Sequence, residues 1–369
     1  MSLDLTAPRP PLLVVVGSGG VGKTTLAAAL GLVSAGAGHD TLVMTFDPSR
    51  RLKDTLGVDE AAGGAEVDVA ADTSGTLRAS LLDARETFDR LVDRYAPTPE
   101  ARDRILGNRY YDHLAGHLGG VLEYMAVERL YEVAAERRYR RVVLDTPPAR
   151  EAIDFLEAPQ RIVDFLDSGA LKIALRPWFD HEGHLHAASG LLGRLGFVDR
   201  RLESFLDRVV GLKLLRDMSE FFLAFEPLFD GFRRRAEKVK ELLADRGTVF
   251  VLVAGPGEQA IPDTLFFARR LADAGFRLGP IVVNRVHPDF PDADGDDAGH
   301  RLFRWLGERH RRALDELRRR LGGERPLIAL PLVPHEPTDL GSLAAFGRDF
   351  QDRLAAARPA SRRNAAKSP

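Results

Sequence analysis

The 369-residue chain is predicted to fold as an α/β domain, doubly wound around a mostly parallel sheet, with helical insertions forming an α-helical subdomain. Three observations lead there. Apolar runs at "LLVVVG", "DTLVMTFD", "RVVLDTP", "TVFVLVAG", "GPIVVNRV" and "PLIALPLVP" are continuous rather than alternating, as strands buried on both faces are. Helical periodicity lies between them, so ligand groups belong at the strands' carboxyl ends. Two stretches, about 76–139 and about 158–246, carry helical periodicity without a strand and are too long for an ordinary crossover.

The organisation that follows is an N-terminal extension over 1–9 and a single domain over 10–356. Its core comprises about 10–75, 140–157 and 247–356, the two insertions form the helical subdomain, and the small, basic tail from 357 to 369 is expected to be disordered. The net charge of −2, from 52 basic and 54 acidic residues, supplies no field to draw nucleic acid or anionic lipid, and neither is expected as a partner. No apolar run approaches the roughly 20 residues of a membrane span, and Asp4 precedes only a short "LLVVV" run. A cytoplasmic protein without stable membrane insertion is expected. The absence of cysteine excludes disulfides, thiolate zinc sites, iron–sulfur ligation and cysteine nucleophiles together.

The first strand runs into "GSGGVGKTT", Gly17 to Thr25, and then a helix. Gly17, Gly19 and Gly22 satisfy the dinucleotide pattern G-x-G-x-x-G, while Gly17, Gly22, Lys23 and Thr24 satisfy the phosphate-loop pattern G-x-x-x-x-G-K-[ST]. Lys23 discriminates between them. In the first turn of a helix, the macrodipole and the unpaired N–H groups repel a cation unless an anion occupies the loop. The stretch Gly17, Ser18, Gly19, Gly20, Val21, Gly22, Lys23, Thr24 and Thr25 is therefore assigned to triphosphate binding. Lys23 would reach the β/γ oxygens, and the Thr24 hydroxyl is placed for Mg²⁺.

The second strand ends at Asp47, ahead of "PSRRLKD". Such an aspartate would also suit a ribose, with Arg50 or Arg51 on a 2′-phosphate as in an NADP enzyme, or it would cap a helix behind Pro48. The third motif weighs against NADP. "RRVVLDTPPAREAIDFLEAP" delivers Asp145 into the rigid turn Thr146-Pro147-Pro148, where a carboxylate would hold a water of a Mg²⁺ shell. The peptide after Thr146 would contact a γ-phosphate and move on its loss. Together with Lys23, these features describe a P-loop NTPase.

"GGVGKTT", "TFDPSRRLKDTLG", "LDTPPAREAIDFLEAP", "IVVNRV" and "LPLVPHEPTDLGSL", in this order across residues 10–355, resemble the ArsA/Get family of deviant-Walker ATPases, nearest its bacterial ArsA-related branch. The resemblance implies a Mg²⁺-dependent ATPase. It makes "DPSRRLKD" switch I and "DTPPAREAIDFL" switch II. Asp47 would orient the attacking water and contact Mg²⁺ through water, and Asp145 would be a ligand of the Mg²⁺ shell. Asn284, followed by Arg285, would meet adenine, with the segment from Pro334 to Leu340 as the adenine loop. Asn284-Arg285-Val286-His287 lacks the N-K-x-D pattern that would read guanine, which favours ATP over GTP.

The chain departs from the family in three places. Ser18 stands where the signature lysine of "G-K-G-G-V-G-K" would be and cannot reach across a dimer to a partner's phosphates. Arg50 and Arg51 stand where switch I usually carries small residues, His or Asn, and a guanidinium there would supply the missing charge. The missing cysteines remove both the metalloid site of the arsenite-pump ATPase and the zinc clamp of the tail-anchor-targeting ATPase.

Residues 200–234 repeat apolar side chains at helical spacing, among them Phe205, Phe221, Phe222, Phe225, Phe229 and Phe232, with a kink expected at Pro227. This stripe is read first as helical core and second as a groove for an apolar client helix. The "HEGHLH" segment at 181–186 and the pair His113 and His117 offer no fixed ligand geometry. The run "ERHRRALDELRRRLGGERP" reads as a solvated helix face. The expected function is an ATPase, as a homodimer or a heterodimer with a related ATPase, whose hydrolysis moves the helical subdomain while a hydrophobic protein client is handled. The alternatives are a catalytically impaired subunit of such a heterodimer, and a partition or positioning ATPase.

Overall fold

The computed structural model describes residues 3–7, 11–46, 51–58, 64–108, 121–167, 226–288, 297–322 and 325–357. In chain order its elements are β1 (Leu12–Gly17), α1 (Lys23–Gly36), β2 (Thr41–Thr45), α2 (Arg51–Leu56), β3 (Glu66–Asp68), β4 (Leu77–Leu81), α3 (Ala84–Tyr95), α4 (Pro99–Leu106) and α5 (Val121–Glu136). Then follow β5 (Arg141–Asp145), α6 (Ala149–Asp167), α7 (Phe229–Ala244), β6 (Thr248–Ala254), α8 (Ile261–Asp273), β7 (Leu278–Val286), α9 (Ala298–Arg320), β8 (Leu327–Pro331) and α10 (Leu340–Ala356). They fall into two compact units. One holds Met1–Leu82, Ala135–Asp154 and Glu241–Pro369, and the other holds Asp83–Ala134 and Phe155–Lys240.

The first unit is built on an eight-stranded sheet of order β3-β4-β2-β5-β1-β6-β7-β8. Every neighbouring pair is parallel except β3 with β4. All six runs read from the sequence as strands are strands here. β1, β2, β5 and β6 are buried along their whole length, which is why their sequences are apolar without alternation. The register sets Asp145 opposite Val15 on one side and Thr45 on the other, so β1, β2 and β5 end together at one edge.

Helix α1 is apolar on nearly every face because it lies between the sheet and α10. Gly347 allows the two helices this close. A Cβ there would stand 2.6 Å from Val33 Cγ2 and 2.8 Å from the Ala29 carbonyl. α9 exposes Arg312, Arg318, Arg319 and Arg320, paired with Glu308, Asp315 and Glu316 one turn away, while Ala313, Leu314 and Leu317 face inward.

Two stretches differ from the sequence reading. β4 lies inside the stretch expected to carry no strand, since "LRASL" and the three-residue β3 are too short and too polar to stand out as apolar runs. The segment expected to be an extension contributes to the core. Leu3 and Leu5 are buried in the cluster around α1, and the fully buried Arg141 guanidinium donates to the carbonyls of Leu5 (3.1 Å) and Ala7 (2.6 Å) and to Ser34 Oγ (3.0 Å). Burial pushes that guanidinium down to about 10.

The second unit is helical. Asp83 and Thr98 cap α3 and α4 through side-chain oxygens that accept from the Glu86 and Ala101 amides. Arg235 of α7 donates from Nε to Glu128 of α5 at 2.6 Å, both side chains being buried, and its guanidinium lies 4.1 Å from the Tyr95 ring centroid. Burial, against the pull of Arg235, pushes the Glu128 carboxyl up to about 7. Pro227 sits in a 3-10 turn, Glu226–Leu228, that leads into α7. Phe232 is buried and Phe229 half-buried. Phe205, Phe221, Phe222 and Phe225, the 181–186 segment, His113, His117 and the tail beyond residue 357 lie outside the described residues. No described helix is long and apolar enough to cross a membrane.

Candidate functional site

The loop between β1 and α1 takes its shape from glycine at two points. Gly17 has φ 152 and Gly22 has φ 92, both in the left-handed half of the map. Space is as restrictive as dihedral preference, because a Cβ on Gly17 would lie 2.1 Å from the Val253 carbonyl oxygen and one on Gly22 would lie 2.4 Å from Asn284 Nδ2.

Gly22 is the N-cap residue of α1 and offers no side chain to its first turn. Lys23 follows, buried, and its Nζ donates to the Ser18 carbonyl at 2.9 Å. The ammonium is thus folded inward over the loop at the positive end of the helix, where an anion would be held.

Asp145 ends β5 with no exposed surface. Its Oδ2 accepts from Thr24 Oγ1 at 2.8 Å and from Thr45 Oγ1 at 3.0 Å. The first helical turn and the ends of β2 and β5 therefore meet on one carboxylate. Thr146 turns its hydroxyl away from this point, donating to the Val15 carbonyl at 2.8 Å. Pro147 is buried behind it, and Pro148 reaches the cavity.

These groups open on a cavity of about 530 Å³ lined by Gly20, Gly22, Lys23, Thr24, Thr25, Thr55, Pro148, Asn284, Arg285 and Phe346, and by the loop after β8 through Leu332, Val333, Glu336, Pro337 and Thr338. That size falls within the range of small-ligand sites. Asn284 Nδ2 donates to the Val21 carbonyl at 2.9 Å, and the Arg285 guanidinium bridges the Gly20 carbonyl (3.1 Å) and Glu336 Oε1 (2.8 Å).

The structure thus gathers Gly20, Gly22, Lys23, Thr24, Thr25, Asn284 and Arg285 around one cavity, with Asp145 bonded to Thr24 beneath it. Pro334 is exposed on the β8 to α10 loop, and its neighbours Val333 and Glu336 form the wall instead. Ser18 Oγ lies 3.5 Å from Asp263 Oδ2 of α8. Asp47 and Arg50 lie outside the described residues, and Arg51 opens α2 with its side chain also outside them. Sequence reasoning missed Thr55 and Phe346. Thr55 stands one turn after Arg51, so the spacing within "RLKDT" would have marked it.

Residues 11–183 match the sequence profile of the anion-transporting ATPase family. Similar curated proteins include protein Rv2184c of Mycobacterium tuberculosis, 27% identical over 386 residues that cover 95% of this chain and 78% of that protein. An uncharacterised Streptomyces coelicolor protein, SCO2128, is 28% identical over 338 residues, 90% of this chain and 75% of its own length. The ATPase GET3B of Arabidopsis thaliana is 28% identical over 291 residues, 74% of this chain and 63% of its own length.

Proposed function

We propose that this ATP-hydrolysing enzyme is of the ArsA/Get type, that its cavity takes ATP with Mg²⁺ and that turnover drives rearrangement of a dimer and of its helical subdomain. The observation that carries the nucleotide reading is Lys23, buried in the first turn of α1 and hydrogen-bonded to a carbonyl of its own loop. An anion entering the loop brings an oppositely charged acceptor within reach of that ammonium, adding Coulomb attraction to the hydrogen bond.

The donor set beside it suits a hard cation. Thr24 and Asp145 present only oxygen, and their mutual hydrogen bond shows that they reach one point. They would hold Mg²⁺, which supplies neutralisation of charge on the phosphate oxygens. Lys23 and the loop amides bind and orient the phosphates. Thr45 donates to the same Asp145 oxygen as Thr24 and so helps keep that carboxylate oxygen directed at Thr24. Asp47, two residues after Thr45, is assigned the attacking water by family resemblance.

Dimer formation and a hydrophobic protein client rest on the same resemblance, which includes a relative named GET3B. Ser18 favours a second form of this reading, a subunit that pairs with a related ATPase and receives from it the cation that Ser18 does not provide. In a homomer, Arg50 or Arg51 would have to supply that cation, and Ser18→Lys would change turnover little.

Lys23→Ala tests the nucleotide reading. Turnover is expected to fall by roughly a hundredfold or more, and ATP affinity with it, because the phosphate contact is charge-assisted. Unchanged ATPase activity in that variant would overturn the reading.

A further inference from the structure

Ser18 stands between two opposite charges. Its carbonyl accepts from the Lys23 ammonium at 2.9 Å, and its hydroxyl lies 3.5 Å from Oδ2 of Asp263, in the first turn of α8. Asp263 is exposed, and no cation among the described residues pairs with it. An acidic side chain in a first helical turn is ordinary, since it meets the positive end of the macrodipole. Turned to solvent it would serve the helix as well, yet this one lies against the loop that is to hold a triphosphate.

That placement opposes the ligand. A carboxylate one residue removed from the Lys23 ammonium repels every phosphate charge brought into the loop. The groups around it do not offset it. Asp145 adds a second carboxylate on the far side of Thr24, and the Arg285 guanidinium is already paired with Glu336.

The two oxygens have the spacing of a cation's ligands. Their 3.5 Å separation is long for a hydroxyl hydrogen bond, which is commonest at about 2.7–2.8 Å. It is also wider than the roughly 2.9 Å between neighbouring oxygens of an octahedral Mg²⁺ shell with bonds of about 2.0–2.1 Å. A larger ion fits the gap. One carboxylate calls for a single positive charge, whereas Ca²⁺ sites gather several.

Resting on the nucleotide reading above, we propose that Ser18 Oγ and the Asp263 carboxylate bind a monovalent alkali cation, potassium or sodium, whose remaining ligands include a phosphate oxygen of the bound triphosphate. The ion turns the repulsion by Asp263 into an attraction. It brings to position 18 the single charge of the lysine that the chain lacks there, and brings it from solution rather than from a partner subunit or from switch I. Nucleotide and ion therefore bind with positive coupling, each raising the affinity of the other.

Equilibrium binding of a non-hydrolysable ATP analogue to the full chain tests this without turnover. It is measured in KCl, NaCl and choline chloride at equal ionic strength and constant Mg²⁺. The analogue should bind about tenfold more tightly in at least one alkali salt than in choline, the order expected of one charge contact near a protein surface. The KCl and NaCl arms identify the ion. Asp263→Asn should erase the salt preference and tighten binding in choline, because the amide does not repel phosphate. Ser18→Lys should also raise affinity in choline, by fixing an ammonium beside Asp263.

Equal affinity in all three salts would overturn the proposal. So would a preference for an alkali salt that survives Asp263→Asn, or weaker binding by that variant in choline. A wild-type chain that binds no analogue in any salt would remove the nucleotide reading itself, whereas binding that is indifferent to the salt removes only this inference.

Discussion

Lys23 and Arg235 are both buried cations, and they hold different kinds of partner. Lys23 donates to the backbone carbonyl of Ser18 in its own loop, whereas Arg235 is locked to the Glu128 carboxylate under the Tyr95 ring. Arg285 repeats the first pattern, its guanidinium donating to the Gly20 carbonyl of the same loop. A neutral carbonyl released by such a cation holds no charge of its own, so the cation can turn to an anionic ligand that brings the opposite charge. Separating Arg235 from Glu128 would leave two buried charges uncompensated, at a cost no ordinary ligand offsets. The loop is built for exchange, and the helical unit for permanence.

The largest expected effect is in the helical unit. Arg235→Met should destabilise that unit by about 3–5 kcal/mol, because Glu128 is left buried without its partner. Glu128→Leu combined with Arg235→Met should cost far less, since replacing both partners by apolar groups is often nearly neutral. Denaturant unfolding of the two variants checks this, and equal costs would show that packing over Tyr95, not charge, holds the helices.

At the site, Asp145→Asn is expected to lower turnover by roughly a hundredfold through loss of the carboxylate beside Thr24. The Mg²⁺ concentration needed for half-maximal rate should rise as well. A variant with wild-type Mg²⁺ dependence would reduce Asp145 to a partner for two threonine hydroxyls.

The last effect is a pH dependence confined to the helical unit. Glu128 titrates near its ordinary 4.5 in the unfolded chain and at about 7 in the folded one. The folded state therefore keeps a proton that the unfolded state has released over that interval. Its contribution to stability is full below 4.5, declines as pH rises toward about 7, and is level above. The stability difference between wild type and Glu128→Gln should fall with rising pH over this window and then stay flat. A difference that is constant from pH 4.5 to 8 would contradict the raised carboxyl.

Much of this was legible in the sequence, for identifiable reasons. β1, β2, β5 and β6 are buried on both faces, so burial and apolar run coincide. β3 and β4 were not legible, because Glu66, Asp68 and Arg78 break the apolar pattern at the sheet's edge. At the site, Lys23 and Asp145 were legible because each sits within a local pattern, Lys23 opening the helix after a glycine loop and Asp145 ending a strand. Glu336 was legible only as part of the segment from Pro334 to Leu340, and Phe346 was not, since it joins the cavity only when α10 is brought to it by the fold. Asn284 shows the limit of a motif. The residue could be found from its segment, but its bond to the Val21 carbonyl depends on a glycine 262 positions earlier in the chain leaving room for it.

A crystal structure of the chain with Mg²⁺ and a non-hydrolysable ATP analogue tests the central claim most directly. The account expects the Lys23 ammonium to leave the Ser18 carbonyl for a phosphate oxygen while the Asn284 bond to Val21 and the Arg235 pair with Glu128 stay in place. A nucleotide bound elsewhere, with Lys23 still on Ser18, would contradict it.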